Sequence, residues 1–425
     1  MSHPVHTAAQ VLERLGGLPG GPELLAQARR REDVALVGGA VRDLLLGHWP
    51  RELDVSIDTG AGDFARELAA SVSPGERAYG RTVEPVVHDR FGTASVAWQY
   101  GRVDIAERRA ESYPAPGALP EVRAGSFEDD LRRRDFTVNA IALPLHGAEN
   151  EGLISVEYAL DDLRAGLLRV LHDRSFIDDP TRLLRIARYA ARLGFEIEPH
   201  TRELAAHAVG EGALGTVSGD RIGSELWLAA REASGAAAFG VLDSLGVLAA
   251  LGMPSPFDGA LAREAQALLS LDGSRELLLM GVALYPDGAA GEIAGALGFT
   301  REQLSTVVQL AKDADTTARL ILDRPGLTVP ALDGASAELV AVAGALAERE
   351  SEGAAQAARD WLATHRHVRL EIDGSDLIAA GIGEGPGIGL RLAITLQRKR
   401  EGLVSGRAEE LREALAVEIA DRVET

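Results

Sequence analysis

Glu52 and Asp54 stand one residue apart at the start of the run Leu53-Asp54-Val55-Ser56-Ile57, which reads as a strand. Residues i and i+2 of a strand face the same way. Two carboxylates on one face repel unless positive charge lies between them, and a divalent metal is the usual answer. Asp104, in the β-rich run Arg102-Val103-Asp104-Ile105, is the candidate third oxygen donor of such a site. Upstream, Gly38-Gly39 follow a short apolar run and open a helical stretch with Arg42 and Asp43. Glycines let backbone N–H groups approach phosphate oxygens closely. Arg42 suits a phosphate, and Asp43 beside it either fixes that arginine or caps the helix. Phosphate and metal side by side suggest nucleotide chemistry. The bland alternatives are solvated strand carboxylates and a tight strand–helix turn.

Two further blocks give the nucleotide other things to hold. Arg133-Arg134-Asp135 precedes Phe136-Thr137-Val138-Asn139. One arginine, Arg134, can take a phosphate, while Asp135 and Asn139 can hydrogen-bond sugar hydroxyls and so favour ribonucleotides. Otherwise the block is a surface ion pair of little worth. Further on comes Phe176-Ile177-Asp178-Asp179-Pro180-Thr181-Arg182. Pro180 is placed for a helix first turn with Asp179 as its N-cap. Asp178 or Asp179 with Arg182 also forms an acceptor–donor pair about one helical turn apart, and Arg185 lies one turn beyond. Cytosine and adenine both offer an exocyclic amine beside a ring-nitrogen acceptor, whereas guanine and uracil present the reverse. One fixed Asp/Arg pair therefore accepts C and A and rejects G and U without a nucleic-acid template.

These groups need a scaffold. The 425-residue chain is long enough for about three domains. Helical spacing covers residues 7–30 with a break at GGLPGGPE, then Ala40–Leu46 and Asp63–Val72. Val34–Gly38, Leu53–Ile57, Val83–His88, Gly92–Trp98, Arg102–Ala106 and Phe136–Leu143 read as strands, with a hairpin expected where 81–90 meets 92–96. Pro114–Gly125 reads as a mobile loop. From Asp161 onward strands become rare. Two helices flank Gly194, with an apolar stripe at Leu183, Ile186, Ala187 and Ala190, and helical segments continue to the C-terminus past a linker at 325–330. The expected class is α+β: a mixed-sheet head followed by an all-helical remainder.

Composition narrows the class of function. The net charge is −20, from 44 basic and 64 acidic residues, which excludes wholesale attraction to nucleic acid or anionic membrane but not a local basic patch. With no cysteine there is neither a disulfide nor a thiolate metal site. No run is long enough to span a membrane, and the first residues lack the pattern of a signal peptide, so a cytoplasmic protein is expected. His88-Asp89 and His172-Asp173 spell a dipeptide of metal phosphohydrolases without the further ligands that fold needs, and His172 is expected to pack against its neighbours. Arg182, Arg185, Arg188 and Arg192 recur along one helix, and Arg391, Arg398, Lys399 and Arg400 cluster near the C-terminus. The second cluster is the candidate for contacts to nucleic-acid phosphates, reading shape and backbone rather than sequence.

Five blocks in fixed order carry a resemblance: VGGAVRDLLLG, RELDVSID, RRRDFTVNAIAL, LRVLHDRSFIDDPTRLLRIARYAARLGFEI and VSGDRIGSEL. They span about residues 34–228 and resemble the class II tRNA nucleotidyltransferases, the bacterial CCA-adding enzymes and related poly(A) polymerases. The resemblance implies a seahorse-like chain. An N-terminal helical segment (1–30) would lead into a nucleotidyltransferase head (31–145), a neck with the nucleotide-reading helix (146–210), a helical body (211–325) and a tRNA-binding tail (326–425). It implies a Mg2+-dependent enzyme, with metal on Glu52 and Asp54 and a third carboxylate near Asp104. Triphosphate would lie on Gly38, Gly39 and Arg42, and ribose on Arg134, Asp135 and Asn139. The base would meet Asp179 and Arg182, with Asp178 and Arg185 beside them. The implied reaction adds CCA, or its CC or A part, to the tRNA 3′ end from CTP and ATP. A poly(A) polymerase of the same family, a tRNA-binding module with a decayed site and a nucleotidyltransferase acting on another substrate are the alternatives. Two positions depart from the family pattern. Glu52 replaces the usual first Asp, and Asp178-Asp179 replaces the usual Glu-Asp. Pro114–Gly125 is where CC and CCA addition would diverge.

Overall fold

The computed structural model describes residues 3–72, 83–88, 90, 92–98, 101–146, 152–286, 288–323 and 332–417. Parts of two expectations, the linker at 325–330 and the hairpin arm at 81–82 with Asp89, lie outside the described residues. The chain forms two compact units, Met1–Leu251 and Gly252–Thr425.

In the first unit the N-terminal helices Ala8–Gly16 (α1) and Gly21–Ala28 (α2) precede β1 (Ala35–Val37), α3 (Gly39–Leu45), β2 (Leu53–Ile57) and α4 (Ala61–Ser71). Next come β3 (Val86–His88), β4 (Thr93–Trp98), β5 (Gly101–Glu107), β6 (Arg109–Ser112), β7 (Glu121–Ala124), α5 (Phe127–Arg132), β8 (Ile141–Pro144) and β9 (Ile154–Ser155). Seven of these strands form one sheet in the order β3-β4-β5-β2-β1-β8-β9. Its neighbours pair antiparallel except β2 and β5, which run parallel. Val55, Ile57, Val103 and Ile105 alternate into the core, as a half-buried strand requires. Because β9 belongs to this sheet, the head extends past the expected boundary at 145.

Three expectations within the head change. Phe136–Leu143 is not one strand: Phe136 makes an isolated bridge with Val170, Thr137–Asn139 is a 3-10 turn, and the strand begins at Ile141. The Thr137 hydroxyl donates to Asp162 at 2.7 Å, and such side-chain bonds compete with a ladder. Pro114–Gly125 is not all loop, because Glu121–Ala124 pairs antiparallel with Arg109–Ser112. All four residues of β7 are exposed, so no apolar alternation marks it in the sequence. Glu52 lies just before β2 rather than within it.

Helices then take over with α6 (Ala159–Ala165), α7 (Ser175–Asp178), α8 (Arg182–Leu193), α9 (Pro199–Gly210) and α10 (Gly219–Arg231), interrupted by a two-residue parallel pair, Leu167–Leu168 with Glu196–Ile197. The stripe expected on α8 is buried: Leu183, Ile186, Ala187 and Ala190 all face the core, with Leu184 beside them. Gly194 closes that helix at φ +68°, a conformation glycine adopts without a Cβ penalty. Every regular element described in the second unit is a helix, from Gly259–Leu268 to Gly406–Ala416. No helix among the described residues is long and apolar enough to cross a membrane.

Candidate active site

The parallel pairing of β2 with β5 sets Asp54 directly opposite Asp104. Paired residues share a face, so the register brings two carboxylates together that the sequence holds fifty positions apart. Glu52 enters from the turn before β2, and one oxygen of each of the three lies within 4.8 Å of the others. Asp104 also accepts from Arg102 Nε at 2.9 Å. Burial, then the negative charge of Glu52, pushes the Asp54 carboxyl up to about 6, with Arg134 offsetting part of the rise and Asp104 adding to it. Three converging oxygen donors, one of them a buried carboxyl whose ionisation its two neighbours oppose, fit a hard divalent cation.

The sign of this coupling is testable. With a folded pKa above the unfolded one, Asp54 favours the fold when protonated, and that contribution fades as pH rises toward 6. A cation binds the deprotonated form and competes with that proton. A divalent cation is therefore expected to raise the melting temperature more at pH 7.5 than at pH 5, and Asp54→Asn should flatten the difference. Equal cation-induced shifts at both pH values would refute the carboxylate cation site.

Gly38 caps α3 at φ +71°, and a Cβ there would lie 2.4 Å from Arg134 Nη1. Glycine is therefore needed twice, for the backbone conformation and for the close approach of the arginine. Arg42 is buried. Its Nε and Nη2 donate to Asp43 Oδ1 at 2.8 and 2.6 Å, its Nη1 donates to Asn139 Oδ1, and its guanidinium lies over the Tyr189 ring. Asp43 does fix Arg42, and its other oxygen takes Arg192 Nη2 at 2.9 Å. Arg42 thus organises the floor of the site besides offering charge to it.

Asp135 is buried, which alone would raise its pKa. Arg185, at 2.5 and 2.9 Å, and the Asn139 amide, at 2.8 Å, instead hold it at about 2. Asn139 therefore bridges Arg42 and Asp135. Arg134 is held by Asp130 Oδ2 at 3.1 Å, and Arg133 by Asp130 Oδ1 at 2.7 Å.

The segment before α8 departs from the expected cap. The helix starts at Arg182 with Thr181 at the N-cap position, not Asp179. Asp179 Oδ1 accepts from the Thr181 hydroxyl at 2.7 Å, from its backbone N–H at 3.2 Å and from Arg221 at 3.1 Å. Arg182 donates to Ser175 Oγ at 2.5 Å and to the Arg133 carbonyl at 3.1 Å, and its Nε sits 4.0 Å from Asp179 Oδ2. The pair is held by neighbours on both sides, a fixed edge rather than a flexible couple. Asp178 does not join it. It pairs with Arg174 at 3.2 Å and faces a smaller cavity beside His172.

One cleft of about 740 Å³ is lined by Gly39, Arg42, Glu52, Asp54, Arg134, Asp135, Asn139, Asp179, Arg182 and Arg185. Asp104 closes the carboxylate trio, and Gly38 lies against Arg134. The sequence reading missed Glu111 and Tyr113, which β6 and its following turn bring to the wall, and Tyr189. The Tyr189 ring carries the guanidinium groups of Arg42, Arg185 and Arg188 at 5.1, 5.9 and 4.9 Å. Its place directly after Arg188 in an arginine-periodic helix was the available signal. The tail cluster has a different fate. Arg391 donates to the carbonyls of Ala414 and Leu415, Arg398 pairs with Glu413 at 3.1 Å, Lys399 with Glu410 at 2.5 Å and Arg400 with Asp333 at 2.7 Å. Each of these four cations has a partner within its own chain, and Arg398 keeps half its side chain exposed.

Residues 34–169 match the poly A polymerase head domain family. An A-adding tRNA nucleotidyltransferase of Halalkalibacterium halodurans is 39% identical over 57% of this chain and 53% of its own length. A CC-adding tRNA nucleotidyltransferase of Deinococcus radiodurans is 41% identical over 43% of this chain and 46% of its own. The chain thus spans about half the length of these curated relatives. Among solved structures, the Thermotoga maritima CCA-adding enzyme complexed with tRNA superposes with a TM-score of 0.73 at 26% identity, covering 97% of this chain and 98% of that one.

Proposed function

We propose that this chain, whose residues 34–169 belong to the poly A polymerase head-domain family, is a tRNA nucleotidyltransferase that adds the terminal CCA, or its CC or A part, from CTP and ATP. One observation carries the reading: a single cleft is lined by Glu52 and Asp54 of the carboxylate trio, by Gly39 of the strand–helix turn and by the Asp179/Arg182 edge. In the reaction the RNA 3′ hydroxyl would give up its proton with the help of Asp104, its oxygen bonds to the α-phosphorus, and the bond to the leaving pyrophosphate breaks. Glu52, Asp54 and Asp104 would hold Mg2+, which when bound supplies positive charge to the attacking and leaving oxygens. The Gly38-Gly39 backbone and Arg134 receive the triphosphate, and Asn139, braced by Arg42 and Asp135, faces the ribose. Asp179 accepts from the exocyclic amine of C or A while Arg182 donates to the ring nitrogen, the order of groups that G and U lack. Of the tail cations we assign RNA phosphate contact to Arg398, which keeps half its side chain exposed and gives up only a surface pair. A tRNA-processing role fits the cytoplasm.

The test is incubation of the purified chain with tRNA lacking its 3′ end, Mg2+ and each labelled nucleotide in turn. C, A or both should be incorporated, and G and U should not. CTP-only use assigns CC addition, ATP-only use A addition, and long ATP products a poly(A) polymerase. Incorporation of neither C nor A overturns the proposal.

A further inference from the structure

Trp49 stands out among the aromatic residues of a chain in which they make up only 4%. The residue is 64% exposed, whereas Trp98 and Trp361 are buried. The ring is not left on a loose loop. Gly47 N–H donates to the Leu44 carbonyl at 3.1 Å and His48 N–H to the Asp43 carbonyl at 2.8 Å, closing the turn after α3. Arg14 Nη2 donates to the Gly47 carbonyl at 2.6 Å, and the Arg14 guanidinium lies 5.3 Å from the indole centroid. A fixed turn therefore presents an aromatic surface to solvent with a cation behind it.

The position of that surface matters. Pro50, Arg51 and Glu52, the next three residues, all line the cleft, and Glu52 belongs to the carboxylate trio. Three residues span at most roughly 10 Å, and a stacked strand advances about 3.4 Å per nucleotide. Backbone to backbone, Trp49 thus lies within about three nucleotide steps of Glu52. Indole rings stack on any unpaired base, because every base has a π-face. An exposed tryptophan whose next three residues line the cleft fits one occupant best, the single-stranded end of the acceptor RNA.

We infer that Trp49 is a stacking platform for an unpaired base just upstream of the RNA 3′ end, an inference that rests on the nucleotide-adding reading above. The chemistry it reads is the face of a base and not its edge, so it would position the strand without selecting sequence.

The experiment uses the full chain and an RNA hairpin with a three-nucleotide 3′ overhang, followed by intrinsic tryptophan fluorescence and a gel-shift titration. Overhang RNA should quench the emission, and Trp49→Phe should remove that quench. Trp49→Ala should weaken binding roughly tenfold, with Trp49→Phe restoring most of it and an abasic overhang reproducing the loss on the unaltered protein. The ring is exposed, so thermal melts of the variants should match the unaltered chain. Persistence of the quench in Trp49→Phe, or equal affinity of Trp49→Ala for the overhang RNA, overturns the platform while leaving the nucleotide-adding reading in place. Failure of the unaltered chain to bind any of these RNAs overturns both.

Discussion

Asp54→Ala abolishes nucleotide incorporation and leaves RNA binding unchanged: this is the largest effect expected of any single substitution here. Asp54 is the middle member of the trio. It is opposite Asp104 in the β2–β5 register and two residues from Glu52, so removing it leaves the other two without a shared centre. The remaining carboxylates could still attract a cation, but not at the position that serves an in-line displacement, where misplacement by about 1 Å costs roughly a hundredfold. The fold should tolerate the change. Asp54 carries a raised pKa in the folded chain, so its charge is a burden on the fold and not a support. Single-turnover incorporation with labelled CTP and ATP measures the loss, and a gel shift measures binding. Retained turnover would sink the metal assignment, and loss of both would show that the carboxylate shapes the RNA site instead. Glu52→Asp is the companion variant, since it restores the family's usual residue and shortens the reach by one methylene.

Asp179→Asn is expected to change which nucleotides are used. Asp179 Oδ1 is engaged by Thr181 and Arg221, and an asparagine oxygen can keep those bonds. The other oxygen, which faces Arg182, becomes an NH2 group. An acceptor turns into a donor at the edge that meets the base, so the preference for C and A over U and G should fall. Loss of one well-made pair of base contacts is worth about 1–3 kcal/mol, or roughly 5- to 150-fold in the ratio of kcat/KM for CTP against UTP and for ATP against GTP. A uniformly slower enzyme with unchanged ratios would mean that Asp179 only shapes the turn before α8. Arg182→Ala is a poorer probe, because it also strands Ser175 and the Arg133 carbonyl without their donor.

Much of the site was legible from local spacing. Glu52-x-Asp54, Gly38-Gly39, Arg134-Asp135 and Asp179-x-x-Arg182 were each readable because a short segment of known type fixes the relative direction of its own side chains. The strand Leu53–Ile57 and the buried stripe of α8 followed from the same periodicities. Where a segment carried no apolar pattern, as in the fully exposed β7, or where polar side chains formed a turn, as at Thr137–Asn139, the reading failed. There, backbone pairing and local hydrogen bonds decided the structure, and neither leaves a periodic mark.

The sequence by itself determined which chemical groups this protein brings to the cleft and in what local order. Only the tertiary structure decided what each of them does. It set Asp104 against Asp54 through a strand register, joined Arg42 to Asp135 through Asn139 across about a hundred residues, and excluded Asp178 from the cleft. It also gave the tail cations Arg398, Lys399 and Arg400 acidic partners on their own chain. The reason is the length of the side chains involved. An arginine reaches several ångströms in any of many rotamers, so its sequence neighbours do not choose its partner, and the packing of distant elements does.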